Sequence, residues 1–193
     1  MNFCSGYQSE IAEERRNRAI RTFSAQWTPA QKSTFAKVEA AEKDYVSAHS
    51  QELDQGGSIR TLRDLGSAEI MHQNFYLDLR LFERGQIPKG SSADATAAES
   101  RMNMQYKANL AAARAPLPSI EPESAVTVEG IEKAQQTWQQ YRDAWLTFAS
   151  VRYPAVPASA FRGYFSEERR RLLAAMRSQI YRDGTKADPS IVP

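Results

Sequence analysis

The chain has one cysteine, Cys4, and two histidines, His49 and His72, among its 193 residues. A lone thiol excludes an internal disulfide framework and a zinc site built on cysteines, and two imidazoles exclude a three-histidine metal centre. Long apolar runs are also missing: none approaches the roughly 20 residues that a helix needs to cross a bilayer. Neither charge sign dominates, since 25 Lys+Arg against 23 Asp+Glu leave a net charge of +2. That balance argues against a protein whose main task is neutralising nucleic-acid phosphates. What is present is 41% hydrophobic and 10% aromatic residues, enough for a packed core, which argues against wholesale disorder. The length fits one domain, or two small units sharing a core.

Met1-Asn2-Phe3-Cys4 carries no basic region followed by an apolar stretch, so no secretory signal is visible. Two locations stay open: the cytoplasm, or the periplasm or exterior if a leader has been removed. Cys4 is placed where a lipid could attach, but the small and apolar residues expected before a lipidated cysteine are missing.

Glycine and proline gather at Gly56-Gly57, from Gly85 to Gly90, from Pro116 to Pro122 and from Pro154 to Pro157. Between these breaks apolar residues recur in steps of three and four, which predicts six helices. The first covers about Ser5 to Gln26. The second opens on Thr28-Pro29-Ala30-Gln31, where Thr28 can cap, Pro29 suits the first turn and Gln31 can complete a capping box. The third, from about Ser58 to Gly85, carries Leu62, Leu65, Ala68, His72, Phe75, Leu79 and Phe82 as one continuous face. The fourth runs from about Ala93 to Arg114, and the linker from Ala115 to Ala125 holds three prolines that favour an extended chain. The fifth has the clearest seam: Ile131, Ala134, Trp138, Tyr141, Trp145, Phe148 and Arg152. The sixth spans about Pro157 to Arg182 with Phe161, Phe165, Leu172, Met176 and Ile180 inward. No segment alternates with period two for long enough to make a strand. The predicted fold is all-α, six long antiparallel helices in a bundle, with halves 1–85 and 86–193 joined in one compact unit. Phe35, Val38 and Tyr45 share their spacing with Trp138, Tyr141 and Phe148, so the halves admit a distant duplication that would pack them about a pseudo-twofold axis.

Three stretches of the second half resemble the LprI-like family of bacterial lysozyme-inhibitor proteins. Arg101 to Lys107, with Asn103 and Tyr106, is similar to that family's Leu-Asn-x-x-Tyr helix start. Ala134 to Ala144 resembles its Gln-x-x-Trp-x-x-Tyr/Phe-Arg-Asp signature through Gln135, Trp138, Tyr141, Arg142 and Asp143. Glu168 to Leu173 resembles its closing Thr-x-x-Arg-x-x-x-Leu. The resemblance covers roughly Ala95 to Ser178. It implies a secreted or periplasmic protein that binds and blocks a cell-wall-degrading enzyme. The family has a cysteine just after Arg-Asp-Ala, where this chain has Trp145, and the partner cysteine near Ala160 or Phe161 is absent too. An apolar contact of Trp145 with Phe161 is expected in place of that staple, since a disulfide and the burial of two large aromatics are both worth about 2–4 kcal/mol.

Residues 1–85 hold 11 basic and 12 acidic residues, and residues 86–193 hold 14 and 11, a net +3. A basic inhibitor repels a strongly basic lysozyme during encounter. The partner class therefore stays at two: a peptidoglycan hydrolase, or an antibacterial toxin neutralised by an immunity protein. A structural or scaffold bundle is the third reading.

Glu69-x-x-His72 has the spacing of a di-iron ligand pair, but His49 lacks the matching carboxylate, so a hydrogen-bonded core histidine is the expectation for His72 and no metal or other cofactor is assigned. No glycine-rich phosphate loop, nucleophile elbow or two-histidine protease motif occurs, and no catalytic residue is assigned. Arg142-Asp143 either grips a partner's anion or pairs with a neighbouring helix, the second being the expectation. Arg169-Arg170-Arg171 and Arg15-Arg16-x-Arg18 each adjoin a Glu pair, which predicts solvated faces with local ion pairs. Partner contacts are sought in the breaks: Asp54, Ser58 and Arg60 around Gly56-Gly57, and Tyr153, Arg162 and Tyr164 around the prolines that stiffen the last turn.

Overall fold

A computed structural model describes residues 2–53, 60–115 and 126–181. Asp54, Ser58, the Gly56-Gly57 pair and the prolines between 116 and 125 lie outside these residues, as do the side chains of Cys4, Leu62 and Ile180. The described residues form six helices: α1 (Asn2–Ser24), α2 (Pro29–His49), α3 (Arg60–Glu83), α4 (Ser92–Arg114), α5 (Val128–Arg152) and α6 (Ala158–Tyr181), with a 3-10 turn at Ser50–Glu52 after α2. No strand occurs among them, and the all-α reading holds.

Local chemistry explains the starts. Thr28 accepts the Gln31 N–H at 3.2 Å and the Gln31 side chain accepts the Thr28 N–H at 2.9 Å, the capping box expected from the sequence. Ser91 and Asp94 repeat the arrangement at α4, and the Thr127 hydroxyl accepts the Gly130 N–H at 3.0 Å at α5. Gly85, with φ +80°, closes the turn after α3 in a conformation that a side chain would strain.

Helices adjacent in sequence alternate in direction. α2 and α5 pack antiparallel: the Phe35 and Phe148 rings are 5.1 Å apart at one end, and Tyr45 and Tyr141 stack at 5.6 Å towards the other. This is ordinary antiparallel helix packing and establishes no duplication. Where helices two apart in the chain touch, this alternation makes them parallel, as for α1 and α3, where Arg16 pairs with Glu69 and the Phe23 ring faces Tyr76. α4 and α6 lie side by side and run parallel, with Gly163 against Ala95, Arg101 beside Glu167 at 3.7 Å, and Asn109 Nδ2 donating to the Leu173 carbonyl at 2.7 Å. α5 separates them in sequence and reverses the chain, so both flanking helices point the same way. Small residues permit the approach: a Cβ on Gly163 would sit 3.3 Å from the Ala95 Cα.

The core is an aromatic seam. Trp138, Tyr141, Trp145 and Phe148 of α5 are buried, as their spacing predicts, and meet Phe161 and Phe165 of α6 and Phe75 and Phe82 of α3. The direct Trp145–Phe161 contact expected as the staple's replacement is not how the two rings meet. Phe82 stands between them, 5.5 Å from Trp145 and 5.4 Å from Phe161, because α3 wedges its end between α5 and α6. Trp145 instead lies against Phe165 at 5.4 Å. The inward face of α3 is also shorter than its periodicity suggests: Met71, Phe75, Leu79 and Phe82 are buried, whereas Leu65 is 45% exposed.

Candidate functional site

At the end of the bundle where α5 turns into α6, Arg152 donates to both carboxylate oxygens of Glu83 at 2.9 and 2.8 Å, and the Tyr153 hydroxyl donates to the same group at 2.8 Å. Burial alone would raise the Glu83 carboxyl; the Arg152 and Tyr153 hydrogen bonds hold it below its ordinary value. Burial, then Glu83, pushes the Tyr153 phenol well up. Three groups from two helices thus anchor the start of the loop, and the Val156 N–H closes it onto the Tyr153 carbonyl at 2.9 Å. Pro154, Ala155 and Pro157 are left exposed on a stiff turn.

Tyr153 and Tyr164 are half-buried and have their hydroxyls committed. Tyr153 stacks on Phe161 at 5.8 Å, and Tyr164 donates to Asp78 Oδ1 at 2.5 Å. Arg162, one turn into α6, has a side chain 46% exposed, with Nε 3.9 Å from Glu99. Arg60 opens α3 on the surface, 3.5 Å from Asp64. The structure brings Tyr153, Arg162 and Tyr164 to one end of α6 and leaves Arg60 on a different element.

The signature residues divide by role. Trp138 and Tyr141 are core, Tyr106 packs half-buried against it, and Asn103 is exposed on α4. The Arg142 guanidinium lies 5.1 Å from the Trp138 ring centroid, donates to Asp143 at 2.9 Å and reaches Glu99 of α4 at 3.4 Å. Arg142 therefore fixes α5 to α4, as its structural reading predicts, and it shares Glu99 with Arg162.

The arginine run after Glu167-Glu168 behaves as predicted at two of its three positions. Arg170 pairs with Glu167 at 2.7 Å and Arg171 with Glu168 at 2.6 Å. Arg169 departs: its side chain is fully buried, donating to Glu52 Oε1 at 2.5 Å and Oε2 at 2.8 Å, to the Tyr45 hydroxyl at 3.1 Å and to Gln135 Oε1 at 3.1 Å. His49 Nδ1 is 2.6 Å from the same Glu52 oxygen. Burial would raise the Glu52 carboxyl, but the Arg169 charge, its hydrogen bonds and His49 together hold it down. A signal for Arg169 was present: it lies four residues after Phe165 and four before Leu173, on the inward stripe of α6. Arg16 departs in the same way, being buried and paired with Glu69 of α3.

That pairing also consumes the Glu69-x-x-His72 motif. Glu69 faces Arg16, and His72 Nδ1 is 2.6 Å from Glu42 of α2, so the expected hydrogen bond exists although the ring is only half-buried. Among the described residues no group of three or more His, Cys, Asp or Glu is arranged to hold a metal ion, and no helix is long and apolar enough to cross a membrane.

Residues 88–182 match the protein-family model described as Lysozyme inhibitor LprI. The match spans α4, α5 and α6 almost entirely and includes every signature residue above, so the resemblance read from the sequence is borne out for the second half of the chain. No curated protein and no solved structure matches the chain significantly.

Proposed function

From the match of its second half to the LprI lysozyme-inhibitor family, we propose that the chain is a non-enzymatic inhibitor that binds a cell-envelope-degrading hydrolase, of lysozyme type or another peptidoglycan hydrolase, in the periplasm or outside the cell. The family match carries this reading, and the α5–α6 end supplies its docking surface. A turn held by Arg152, Tyr153 and Glu83 loses little entropy on docking, and Arg162 beside it offers an exposed cation of a type common at interface hot spots.

The net +3 of residues 86–193 favours a target that is not strongly basic. That observation supports a second reading, an immunity protein that neutralises an antibacterial toxin. One experiment addresses both. The purified chain is titrated against a panel of lysozymes and other peptidoglycan hydrolases, and used as bait on envelope extracts and secreted toxins. Nanomolar one-to-one inhibition of a hydrolase, weakened at least tenfold by Arg162→Glu, supports the first reading. Capture of a toxin alone supports the second. Turnover of peptidoglycan by the chain itself overturns both and makes it an enzyme, whereas no specific capture beside a working inhibitor control overturns both and leaves a scaffold bundle.

A further inference from the structure

Between α2, α3, α5 and α6 lies a cleft of about 270 Å³ that opens to solvent. Its floor is aromatic, with Tyr45, Phe75, Tyr141 and Phe165 all buried. Three carboxylates line it, and their partners differ. Glu42 is matched by His72 at 2.6 Å, and Glu168 by Arg171 at 2.6 Å. Asp78 has only a phenol: Tyr164 donates to Oδ1 at 2.5 Å, and among the described residues no cation lies within ion-pair distance of it. The other guanidinium of the cleft, Arg169, is committed to Glu52. A half-buried carboxylate beside aromatic rings that lacks a counter-cation is complementary to one kind of group. A cation placed there gains the Asp78 charge and the negative faces of the rings together. A metal ion would find too few free ligands, and an anion would meet three carboxylates.

We propose that this cleft is a binding site for a primary ammonium or guanidinium group carried on a short apolar stem or ring. A volume of about 270 Å³ has room for a cation with a compact apolar body. Burial pushes the Asp78 carboxyl up to about 7, which is the condition of an acid waiting for a positive partner. The site is separate from Arg162 and does not depend on the hydrolase reading.

The test uses the full chain, ¹⁵N-labelled, titrated with benzylammonium and with the neutral isostere benzyl alcohol. Saturable shifts of the Asn74, Asp78 and Leu172 amides are expected with benzylammonium, with benzyl alcohol binding at least tenfold more weakly. Asp78→Asn, which keeps an acceptor for Tyr164, is expected to weaken benzylammonium at least tenfold. Should that variant not fold, Asn74→Trp at the exposed mouth is expected to block binding with the spectrum otherwise intact. A parallel titration with Nα-acetyl-lysine methylamide separates the sources: tighter binding than benzylammonium indicates a polypeptide side chain, and weaker binding a free amine. No saturable shift, equal binding of amine and alcohol, or full affinity in whichever variant folds would overturn the proposal.

Discussion

Arg169 and Glu52, 117 residues apart in sequence, form a two-pronged ion pair in which neither side chain is exposed. Removing one partner of this buried pair leaves Arg169 with only neutral hydrogen-bond partners, or Glu52 with only His49, a loss of roughly 3–5 kcal/mol. Glu52→Leu and Arg169→Met are each expected to destabilise on that scale in urea unfolding, and the double substitution to recover much of the loss. If either single change costs under about 1 kcal/mol, the pair is not what holds α6 against the end of α2. The pH dependence has a definite sign. Glu52 is held below its ordinary 4.5, so its contribution is present above that value and is lost as pH falls through the lower folded value.

Asp78 has the opposite sign. Its folded value is raised from 3.8 to about 7, so the folded state holds a proton that the unfolded state has released, and stability declines as pH rises from about 4 through 7. Asp78→Asn should remove this decline. At pH 8 the variant is expected to be more stable than the parent by roughly 1–3 kcal/mol, less than the full shift would give because Asp78 is only partly buried in a cleft open to solvent. At pH 4 the two should nearly coincide. Thermal unfolding at the two pH values checks it.

Gly130 marks a close approach. A Cβ there would lie 2.2 Å from the backbone oxygen of Gln51, so the first turn of α5 needs a residue without a side chain to pass beneath the end of α2. Gly130→Ala is expected to cost roughly 1–3 kcal/mol despite alanine's better helix propensity, because a backbone atom cannot swing aside. Thr127→Ala, which removes only the cap, should cost about 1 kcal/mol. Thermal denaturation of the two variants ranks them.

Arg162 and Tyr153 separate binding from stability. Arg162→Glu is expected to change unfolding free energy by no more than about 0.5 kcal/mol while reducing inhibition of the target hydrolase. Tyr153→Phe deletes one of three hydrogen bonds on Glu83 and should cost about 1–2 kcal/mol. A large stability loss for Arg162→Glu would remove it from the docking surface.

Six helices were legible because the clusters of glycine and proline fall between them and some starts carry their own chemistry, as at Thr28 and Gln31. The α5 seam was legible for the same reason, since Trp138, Tyr141, Trp145 and Phe148 can face only one way. Three features were not. Arg16 looks like a surface charge, and so does Arg169 despite its place on the inward stripe of α6, because adjacent glutamates satisfy the local pattern while their actual partners are far away in sequence. The parallel α4–α6 contact depends on Ala95 and Gly163, and small residues have no periodicity strong enough to announce a packing direction. The wedge of Phe82 between Trp145 and Phe161 is a three-helix event, invisible to any pairing of two segments. Of the candidate docking residues, Arg162 has the exposure expected of it, whereas the rings of Tyr153 and Tyr164 also serve the core.

The partners of Arg169 carry a consequence for dissection of the chain. The stretch that a family comparison recognises, residues 88–182, contains the guanidinium but neither Glu52 nor Tyr45. Cut at the family boundary, the fragment would carry an orphaned charge inside and a bare aromatic wall where α2 and α3 had been. Such a piece would be expected to clump rather than compete. The unit that the family comparison marks and the unit that must be made in one piece are therefore different lengths, and any shortened version of the chain has to be drawn around the second.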